Sequence, residues 1–350
     1  MRITGRALVS AAGLCLADAV QRALTGEHAI AHREGWPFAA MPLAGDWAAR
    51  MSQALALLST AAPAPAGSAF HIGSSSWQIG GADRAERVGA LAESPSRFAA
   101  GVGRQLGVTA APRCFSVACV SGLAALDAAQ VELAANRAQQ VRVVGLELDN
   151  AYTRQGFAAL QLLSSAPCKP FDLQRDGLML GEAVAMLDCD AGEGAGWHLT
   201  GSGTALDRSG PTSADASGEP VAAAIRLALR QAGRVPTDIG VVKLHGAGSP
   251  MTEPAEAAGL RAVFGEVPPC VSFKSLLGHT LGASGPAEIA LLTACLDEGW
   301  IPATIGFTVS DAALGLTPTT MKLRWDGCPA LVLAMGFGGQ VWAGVLERRA

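Results

Sequence analysis

Runs of consecutive apolar residues alternate along the chain with segments whose apolar residues recur at helical spacing. The runs "QVRVVGLE" (140–147) and "AVAMLDCD" (183–190) have the length of strands that are buried on both faces. Between runs of this kind, an apolar face recurs at i, i+3, i+4 and i+7, which predicts an amphipathic helix. Its residues are Ile225, Ala228, Leu229 and Ala232. Strands that alternate with helices are typical of an α/β fold.

The same pattern predicts further elements at both ends of the chain. The N-terminal apolar segment is interpreted as a buried first strand followed by a glycine turn, and not as a signal peptide. Further strands are predicted at 197–207, at 239–249 (running into a glycine-rich loop) and twice within 330–347, around a second glycine loop. A helix around Pro286 carries Ile289, Leu292 and Leu296 on one face. The alanine- and proline-rich residues 25–70 fit either a loop or a short helix.

A change of composition divides the chain near its middle. The chain of 350 residues is long enough for one large α/β domain, or for two similar halves that share a core. The stretch "AGEGAG" (191–196) reads as a turn or linker between two series of strands and helices. We therefore predict two α/β halves, covering residues 1–192 and 193–350.

Charge and cysteine usage exclude several classes of protein. The formal net charge is −4 and there is no block of basic residues, which argues against a nucleic-acid surface. No apolar run reaches the roughly 18 residues that a membrane span needs. Eight cysteines are scattered singly, a pattern that favours reduced thiols in the cytoplasm.

One cysteine stands at a predicted junction of strand and helix. In "SVACVSGLAALDAA" (116–129), Cys119 follows a short β-prone segment and precedes a run of helix formers. A free cysteine is most often a small buried hydrophobe. A helix N-terminus, however, lowers the pKa of a thiol and offers unpaired N–H groups to an oxyanion. Cys119 is therefore either a core residue or a nucleophile.

Three more stretches place polar residues where strands give way to loops, the usual position of sites in α/β folds. They are "KLHGAGSPMTEPAE", "FKSLLGHTLGASG" and "AMGFGGQ". Each has a simple structural explanation, because His245 fits a core histidine, Lys274 a surface lysine, and the glycines 336, 338 and 339 a hairpin turn. Their occurrence together with Cys119 is harder to explain by structure alone.

The four stretches resemble the signature of the β-ketoacyl-acyl carrier protein synthases, the Cys-His-His condensing enzymes of the thiolase superfamily. The family's A-C-x-S-G motif is similar to residues 118–122, and its H-G-T-x-T loop to "HGAGS". Its K-x-x-x-G-H-x-x-G-A-x-G motif is matched from Lys274 to Gly285, its G-F-G-G loop by residues 336–339, and its P-F-D-x-x-R-D-G motif by "PFDLQRDG". The resemblance spans nearly the whole chain. It implies a thiolase-like fold, with two pseudo-duplicated α/β halves in a layered αβαβα core.

The resemblance also implies a reaction and a set of roles. Cys119 would take an acyl group from the phosphopantetheine arm of an acyl carrier protein, and the N–H groups of Cys119 and Phe337 would form an oxyanion hole. Malonyl thioester would then lose CO2, and the enolate would attack the acyl group. The remaining implied residues are His245 and His279 as enolate donors, Lys274 as an electrostatic residue, Glu256 and Glu288 as its partners, Gly338 and Gly339 as supporting glycines, and Ser249 and Phe337 as substrate contacts.

The implied product is a β-ketoacyl thioester in fatty acid, polyketide or polyene synthesis. No bound cofactor is implied, because phosphopantetheine arrives on the carrier protein, and a homodimer or a heterodimer with a related subunit is expected. The chain departs from the family at Ala247, at Glu253 (usually aspartate), at Gln340 and at residues 333–335, where a polar N-S-F is replaced by "LAM". Since that replacement removes cation-binding groups, we predict no metal.

Other classes of protein fit the residues less well. A chain-length-controlling partner subunit would share the fold but typically lacks the nucleophile. A thiolase would have a second cysteine in a C-terminal C-x-G loop, where this chain has "MGFGGQ". The Cys-His-Asn condensing enzymes would replace His279 by asparagine. A cysteine hydrolase leaves the second histidine and Lys274 unexplained, and a structural module leaves all four motifs to coincidence.

Overall fold

The computed structural model describes residues 1–81 and 94–350, and its strands and helices alternate along the chain. The strands are β1 (Arg2–Ser10), β2 (Ala31–Arg33), β3 (Trp36–Ala39), β4 (Ala69–Gly73), β5 (Pro112–Phe115), β6 (Gln140–Glu147), β7 (Leu180–Gly181), β8 (Ala183–Asp190), β9 (Gly196–Leu206), β10 (Val241–Lys243), β11 (Cys270–Val271), β12 (Trp300–Ile301), β13 (Leu323–Arg324), β14 (Ala330–Gly336) and β15 (Gln340–Arg349). The helices are α1 (Leu16–Thr25), α2 (Trp47–Ala61), α3 (Pro95–Gln105), α4 (Ser121–Ala134), α5 (Ala151–Ala159), α6 (Glu219–Ala232), α7 (Glu253–Phe264), α8 (Lys274–Leu277) and α9 (Ser284–Asp297). Helices α4 and α9 form the centre of the molecule.

Ten strands form one sheet that repeats a five-stranded pattern. The order is β11-β10-β14-β15-β9-β1-β8-β6-β4-β5, and the two units meet where β1 pairs with β9. From that junction outward, each unit has two antiparallel pairings and then two parallel ones. The internal duplication implied by the resemblance is therefore present in the strand order. The boundary between residues 192 and 193 stays a prediction.

The two faces of this sheet bury different cores, because alternate residues of a strand point to opposite faces. On β6, Val141 and Val143 join a central core with α4 and α9, whereas Val144 and Leu146 join an outer core with α2 and α3. On β14, Val332 joins the central core and the neighbouring residues join an outer core with α6 and α7. The central layer of α4 and α9 is thus shared by the two units, and each unit has its own outer helices, α2 and α3 or α6 and α7. The layers are therefore ordered α, β, α, β, α, as in a thiolase-like fold.

The two central helices approach each other through residues without side-chain bulk. A Cβ added to Gly122, in the first turn of α4, would lie 2.5 Å from Cδ of Pro286 and 2.7 Å from the carbonyl oxygen of Gly282. A Cβ on Gly145 of β6 would lie 2.9 Å from the backbone of Ala283. These distances are shorter than van der Waals contact, so glycine is required at position 122 for the observed spacing of α4 and α9, and at position 145 for the approach of β6 to the turn before α9.

Most of the predicted elements are confirmed. The strands at 140–147 and 183–190, the N-terminal strand, and the two strands around the last glycine loop all form. Helix α6 buries the predicted face, and in α9 the predicted residues are buried together with nearly all the others, because this helix is central. The stretch 239–249 is a strand that runs into a loop, as predicted, and its paired part is Val241–Lys243. Within 25–70, where only a loop or a short helix was expected, the chain forms the β2–β3 hairpin, the 15-residue helix α2 and the start of β4. No helix in the described part of the chain is long and apolar enough to cross a membrane.

Candidate active site

The site residues follow the ends of the parallel strands in both units. Cys119 follows β5, and His245 follows β10. His279 lies between β11 and α9, and Phe337 follows β14. The carboxyl ends of parallel strands meet at one edge of a sheet, and in open α/β sheets ligands bind there. The fold therefore brings together four residues that are separated by up to 218 positions in sequence.

Cys119 lies just before α4 on a strained turn. Ala118 has a φ of 44°, a left-handed conformation that is unfavourable for a residue with a Cβ. The turn is held by Ser121, whose Oγ accepts a hydrogen bond from the Val117 N–H at 2.8 Å and donates one to the Ala118 carbonyl at 2.6 Å. Strain of this kind is concentrated at functional sites. The turn directs the Cys119 side chain towards His279, which follows β11, and Phe337, which follows β14.

The thiol of Cys119 is buried, and it contacts donors from two directions. Burial raises its pKa to about 11, opposed by the N–H of Phe337, by the charge of Lys274 and by its own N–H. The thiol is therefore protonated at neutral pH, and its attack on a carbonyl needs a base. The two N–H groups that the resemblance implies as an oxyanion hole both face the sulfur.

His279 provides a nitrogen at the required position. Its Nε2 lies 3.2 Å from Sγ of Cys119, and its Nδ1 lies 3.2 Å from Oγ of Ser284. When Nδ1–H donates to Ser284, Nε2 has a free lone pair for the thiol proton; in the other tautomer Nε2–H is a donor. The Ser284 hydroxyl also contacts Oγ1 of Thr280 at 3.1 Å. Ser284 therefore orients the ring, and its hydroxyl can accept from Nδ1–H in one tautomer or donate to Nδ1 in the other.

His245 faces His279 across the site. The two ring centroids are 5.4 Å apart at an interplanar angle of 83°, and both rings are buried. Burial lowers the pKa of both histidines well below 6.5, and the Lys274 ammonium lowers it further. The imidazoles are thus neutral at physiological pH. Nδ1 of His245 is buried and has no hydrogen-bond partner within residues 1–81 and 94–350.

Two buried carboxylates hold the loop that carries His245. Glu256 of α7 accepts hydrogen bonds from the N–H groups of His245 and Gly246, and Glu253 accepts from Gly248 and Phe171. Burial raises the pKa of Glu256 to about 7, and burial together with the charge of Glu256 raises that of Glu253 to about 8. Glu256 makes no hydrogen bond to Lys274, because its two oxygens accept the N–H groups of the loop, but the charge of Lys274 opposes the rise of the Glu256 pKa. The expected role of Glu256 as a partner of Lys274 in a buried charge network stays a prediction.

Lys274 instead pairs with Glu288, the other predicted partner. Its ammonium donates to Oε1 of Glu288, and a second buried lysine, Lys243 of β10, donates to Oε2 of the same carboxylate. The three side chains are at most 2% exposed. Burial alone would raise the pKa of Glu288, but the two lysines outweigh burial and lower it. Glu288 is therefore an anion shared by two cations.

Phe337 belongs to a loop that its glycines make possible. Gly338 and Gly339 have φ values of 84° and 83°, and a Cβ on Gly339 would lie 1.9 Å from the carbonyl oxygen of Asp207. The loop is fixed on one side by the Gly338 N–H, which donates to the carbonyl of Pro211 at 2.9 Å. The Phe337 ring stacks on Phe157 of α5, with centroids 5.3 Å apart. The backbone is thus anchored while the ring lies over the cysteine.

Cys119 and Phe337 line two cavities. One cavity contains both histidines and the hydroxyl groups of Ser249, Thr252 and Thr212, within a lining that is otherwise largely apolar. The other is mostly apolar and is lined by α5 residues together with Leu281. A cavity with hydroxyl groups and an apolar pocket that meet at one thiol suit a substrate with a polar arm and an acyl chain.

The structure brings together most of the residues that the sequence singled out. Cys119, His245, His279, Phe337 and Ser249 line one cavity, and Lys274 and Glu288 lie in the buried layer behind the histidines. The roles of these residues stay predictions.

Three residues of the site were not predicted from the sequence: Lys243, Ser284 and Glu147. The last accepts hydrogen bonds from Ser75, Ser76 and the Gly282 N–H. Lys243 and Glu147 each stand at the end of an apolar strand. A charged residue at such a position is buried and needs a partner, and this is the signal in the sequence that points to them.

Comparisons with known proteins agree with this geometry. Residues 66–187 match the N-terminal domain of β-ketoacyl synthases and residues 198–308 match their C-terminal domain. The two matches together cover most of the chain in the family's order, and the chain belongs to the β-ketoacyl synthase family. A 3-oxoacyl-[acyl-carrier-protein] synthase 2 of Mycobacterium leprae is 29% identical over 262 residues, which are 70% of this chain and 62% of that protein. The corresponding Mycobacterium tuberculosis protein is also 29% identical over 262 residues. The chain thus spans less than two thirds of the length of these curated relatives.

Solved structures share the fold over the whole chain. The structure of a ketosynthase in complex with its chain length factor from Xenorhabdus doucetiae superposes with a TM-score of 0.83 at 23% identity, covering 99% of this chain and 98% of that one. A type II polyketide synthase ketosynthase solved with its acyl carrier protein gives a TM-score of 0.87 at 20% identity, covering 100% and 99%. At these identities the likeness establishes the thiolase-like fold.

Proposed function

We propose that this protein is a 3-oxoacyl-[acyl-carrier-protein] synthase, an acyltransferase that condenses an acyl thioester with malonyl-acyl carrier protein. The observation that carries the proposal is the contact of Nε2 of His279 with Sγ of Cys119, at 3.2 Å, in a cavity that also holds His245. One thiol in a cavity with two neutral imidazoles suits the two half-reactions of a decarboxylative Claisen condensation. The family match supports the same assignment.

In the first half-reaction, Sγ of Cys119 attacks the thioester carbonyl of the acyl-carrier substrate. The thiol proton passes to Nε2 of His279, and then to the pantetheine sulfur that leaves. The N–H groups of Cys119 and Phe337, which already face the sulfur, stabilise the negative oxygen of the tetrahedral intermediate. One thioester replaces another, so the acyl group stays activated on Cys119.

In the second half-reaction, malonyl thioester occupies the cavity that contains the two histidines, and its carboxylate leaves as CO2. The enolate oxygen that forms accepts hydrogen bonds from the ring nitrogens of His245 and His279. Two neutral donors are suitable, because they stabilise the enolate without protonating its carbon. The carbanion then attacks the acyl carbonyl on Cys119, the C–C bond forms, and the thiolate of Cys119 leaves.

The proposal includes the partners of the protein. The acyl carrier protein delivers phosphopantetheine as part of the substrate, and the related structures contain a carrier protein or a chain length factor beside a ketosynthase. We propose a dimer, either of two copies or with a related subunit, in fatty acid or polyketide synthesis. All eight cysteines are free thiols, which supports the proposed cytoplasmic location. No group of three or more metal-ligating side chains occurs in the described residues, and the predicted absence of a metal stays a prediction.

Intact-protein mass spectrometry after incubation with a series of acyl-carrier thioesters tests the proposal. Wild-type protein should gain one acyl group, which peptide mapping should place on Cys119. Cys119→Ser should lose the adduct, and Cys15→Ser, at an exposed thiol, is the matched control that should keep it. Acylation of another cysteine would contradict the assignment.

The same experiment separates the alternative of a chain-length-controlling subunit. Such a subunit would bind a partner without accepting an acyl group itself. Wild-type protein that stays unmodified alone, and also beside a related ketosynthase that becomes acylated, would favour that alternative. The free thiol of Cys119 and its contact with His279 favour the active enzyme.

A further inference from the structure

Lys243 is a buried cation next to the histidines for which the proposed mechanism has no use. It lies on β10, two residues before His245, and its side chain is 1% exposed. The surrounding strand segment pairs with Val332 of β14 and Val271 of β11, which offer no charge. Burying an ammonium is unfavourable even when it is paired, and an apolar residue would pack at this position without that cost, so a lysine here needs an explanation beyond packing.

The pairing of Lys243 leaves an excess of positive charge. Lys243 and Lys274 donate to the two oxygens of the single carboxylate of Glu288. The charged groups that face Lys243 are Glu288 of α9, Lys274 of α8 and Glu256 of α7. Both oxygens of Glu256 already accept N–H groups of the His245 loop, and burial raises its pKa to about 7. Two cations therefore share one strong anion and one that is weakly ionised.

This excess charge acts on the imidazoles. Burial is the largest cause of the lowered pKa of His245 and His279, and Lys274 and Lys243 both lower it further. The geometry agrees, because Lys243 precedes His245 on the same segment. Positive charge at this position opposes protonation of the rings. It also attracts the negative charge that an enolate would place between them.

We infer that Lys243 is a positioning residue of the decarboxylation step, which holds a second fixed positive charge behind His245 and His279 by sharing the Glu288 carboxylate with Lys274. This inference rests on the proposed function. It predicts unequal effects on the two half-reactions. In the acylation of Cys119 the negative charge develops at the N–H groups of Cys119 and Phe337, and His279 takes up the thiol proton, which a nearby cation opposes. In decarboxylation the negative charge develops at the two histidines, and the same cation stabilises it.

Lys243→Met removes the charge while keeping the length of the side chain, and Lys243→Arg keeps the charge. Two rates are measured on the same preparation: the acylation of Cys119 by acyl-carrier protein, and the decarboxylation of malonyl-carrier protein. The ratio of the rates is insensitive to the fraction of folded protein. Lys243→Met should lower the ratio of decarboxylation to acylation by about tenfold, as expected for one charge in a partly screened buried site. The ratio of decarboxylation to acylation in Lys243→Arg should lie between the values for Lys243→Met and wild type. Lys322→Met, at an exposed lysine, should have the wild-type ratio.

The pH dependence supplies a readout that a merely structural residue would not move. Without Lys243 the histidine pKa values should rise, so the acid limb of decarboxylation should move to higher pH. NMR titration of the histidine resonances measures the same shift without substrate. A Lys243→Met variant with the wild-type ratio and wild-type histidine titration would overturn the inference, as would an equal loss of both half-reactions. Wild-type protein that does not acylate Cys119 would contradict the proposed function, and the NMR titration would still test Lys243.

Discussion

The stack of Phe157 on Phe337 allows a quantitative test of whether this loop controls the order of the two half-reactions. The Phe337 ring lies between the two cavities that meet at Cys119, and it stacks on Phe157 with centroids 5.3 Å apart and planes 25° apart. An aromatic pair of this geometry contributes about 0.5–1.5 kcal/mol beyond the burial of its area. If the stack holds the loop over an unacylated thiol, its loss should shift the loop equilibrium by roughly 2- to 13-fold.

Phe157→Leu tests this reasoning, because it removes the ring and leaves Phe337 in place. We expect malonyl-carrier protein to be decarboxylated without prior acylation about 2- to 10-fold faster than by wild type. Mass spectrometry of the carrier protein, which loses CO2 in the reaction, measures the rate. Tyr152→Leu alters the same apolar cavity without the ring stack and should leave the unprimed rate unchanged. An unprimed rate in Phe157→Leu that equals wild type would refute the gate, and Phe337 would then be a packing residue.

Three further predictions concern the buried groups. His245→Ala and His279→Ala should each lose on the order of 10²–10³ of malonyl decarboxylation, the effect of removing one oxyanion donor, and near-normal decarboxylation would exclude the scheme. Acylation of Cys119 should fall little in His245→Ala and more in His279→Ala, which lacks the proposed base. Because burial and Lys274 lower both histidine pKa values, wild-type decarboxylation should stay constant as the pH falls to about 6.5, and a decline that follows an ordinary histidine would contradict this. Glu288→Gln leaves two buried ammonium groups without their anion and should lower the free energy of unfolding by about 3–5 kcal/mol at pH 7. Since such lysines have lowered pKa values, the loss should shrink towards pH 9, and denaturant unfolding at both pH values measures it.

The regular part of the fold follows from local patterns in the sequence. The strands at 140–147 and 183–190 were predicted with the observed bounds, because continuous apolar runs bounded by polar residues have few other structures. Helix α2 was not predicted, although it has a buried face, formed by Met51, Ala54, Leu55 and Leu58. Alanine carries little hydrophobic contrast, and the alanines around that face obscured its period.

The site could be predicted as a set of residues but not as a network of contacts. Cys119, His245, Lys274 and His279 stand in recognisable motifs, whereas their partners are chosen by tertiary structure. Glu256 illustrates the difference. Sequence placed it near Lys274, but α7 directs its carboxylate to the N–H groups of the His245 loop. The sharing of Glu288 by two lysines depends on the packing of β10 against α9, which no local pattern contains.

The contact between α4 and α9 bears on how much mutation this protein can tolerate. Cys119 and His279 precede these two helices, and their 3.2 Å contact depends on the α4–α9 spacing that Gly122 allows and on the approach of β6 to the turn before α9 that Gly145 allows. A methyl group added to either glycine would have to displace the neighbouring backbone, and would so disturb the contact of the proposed nucleophile with His279. In a library of single substitutions selected for condensation, we expect both glycines to be depleted of replacements as strongly as the nucleophile. Positions that tolerate no substitution in this chain would therefore include residues that take no direct part in the chemistry.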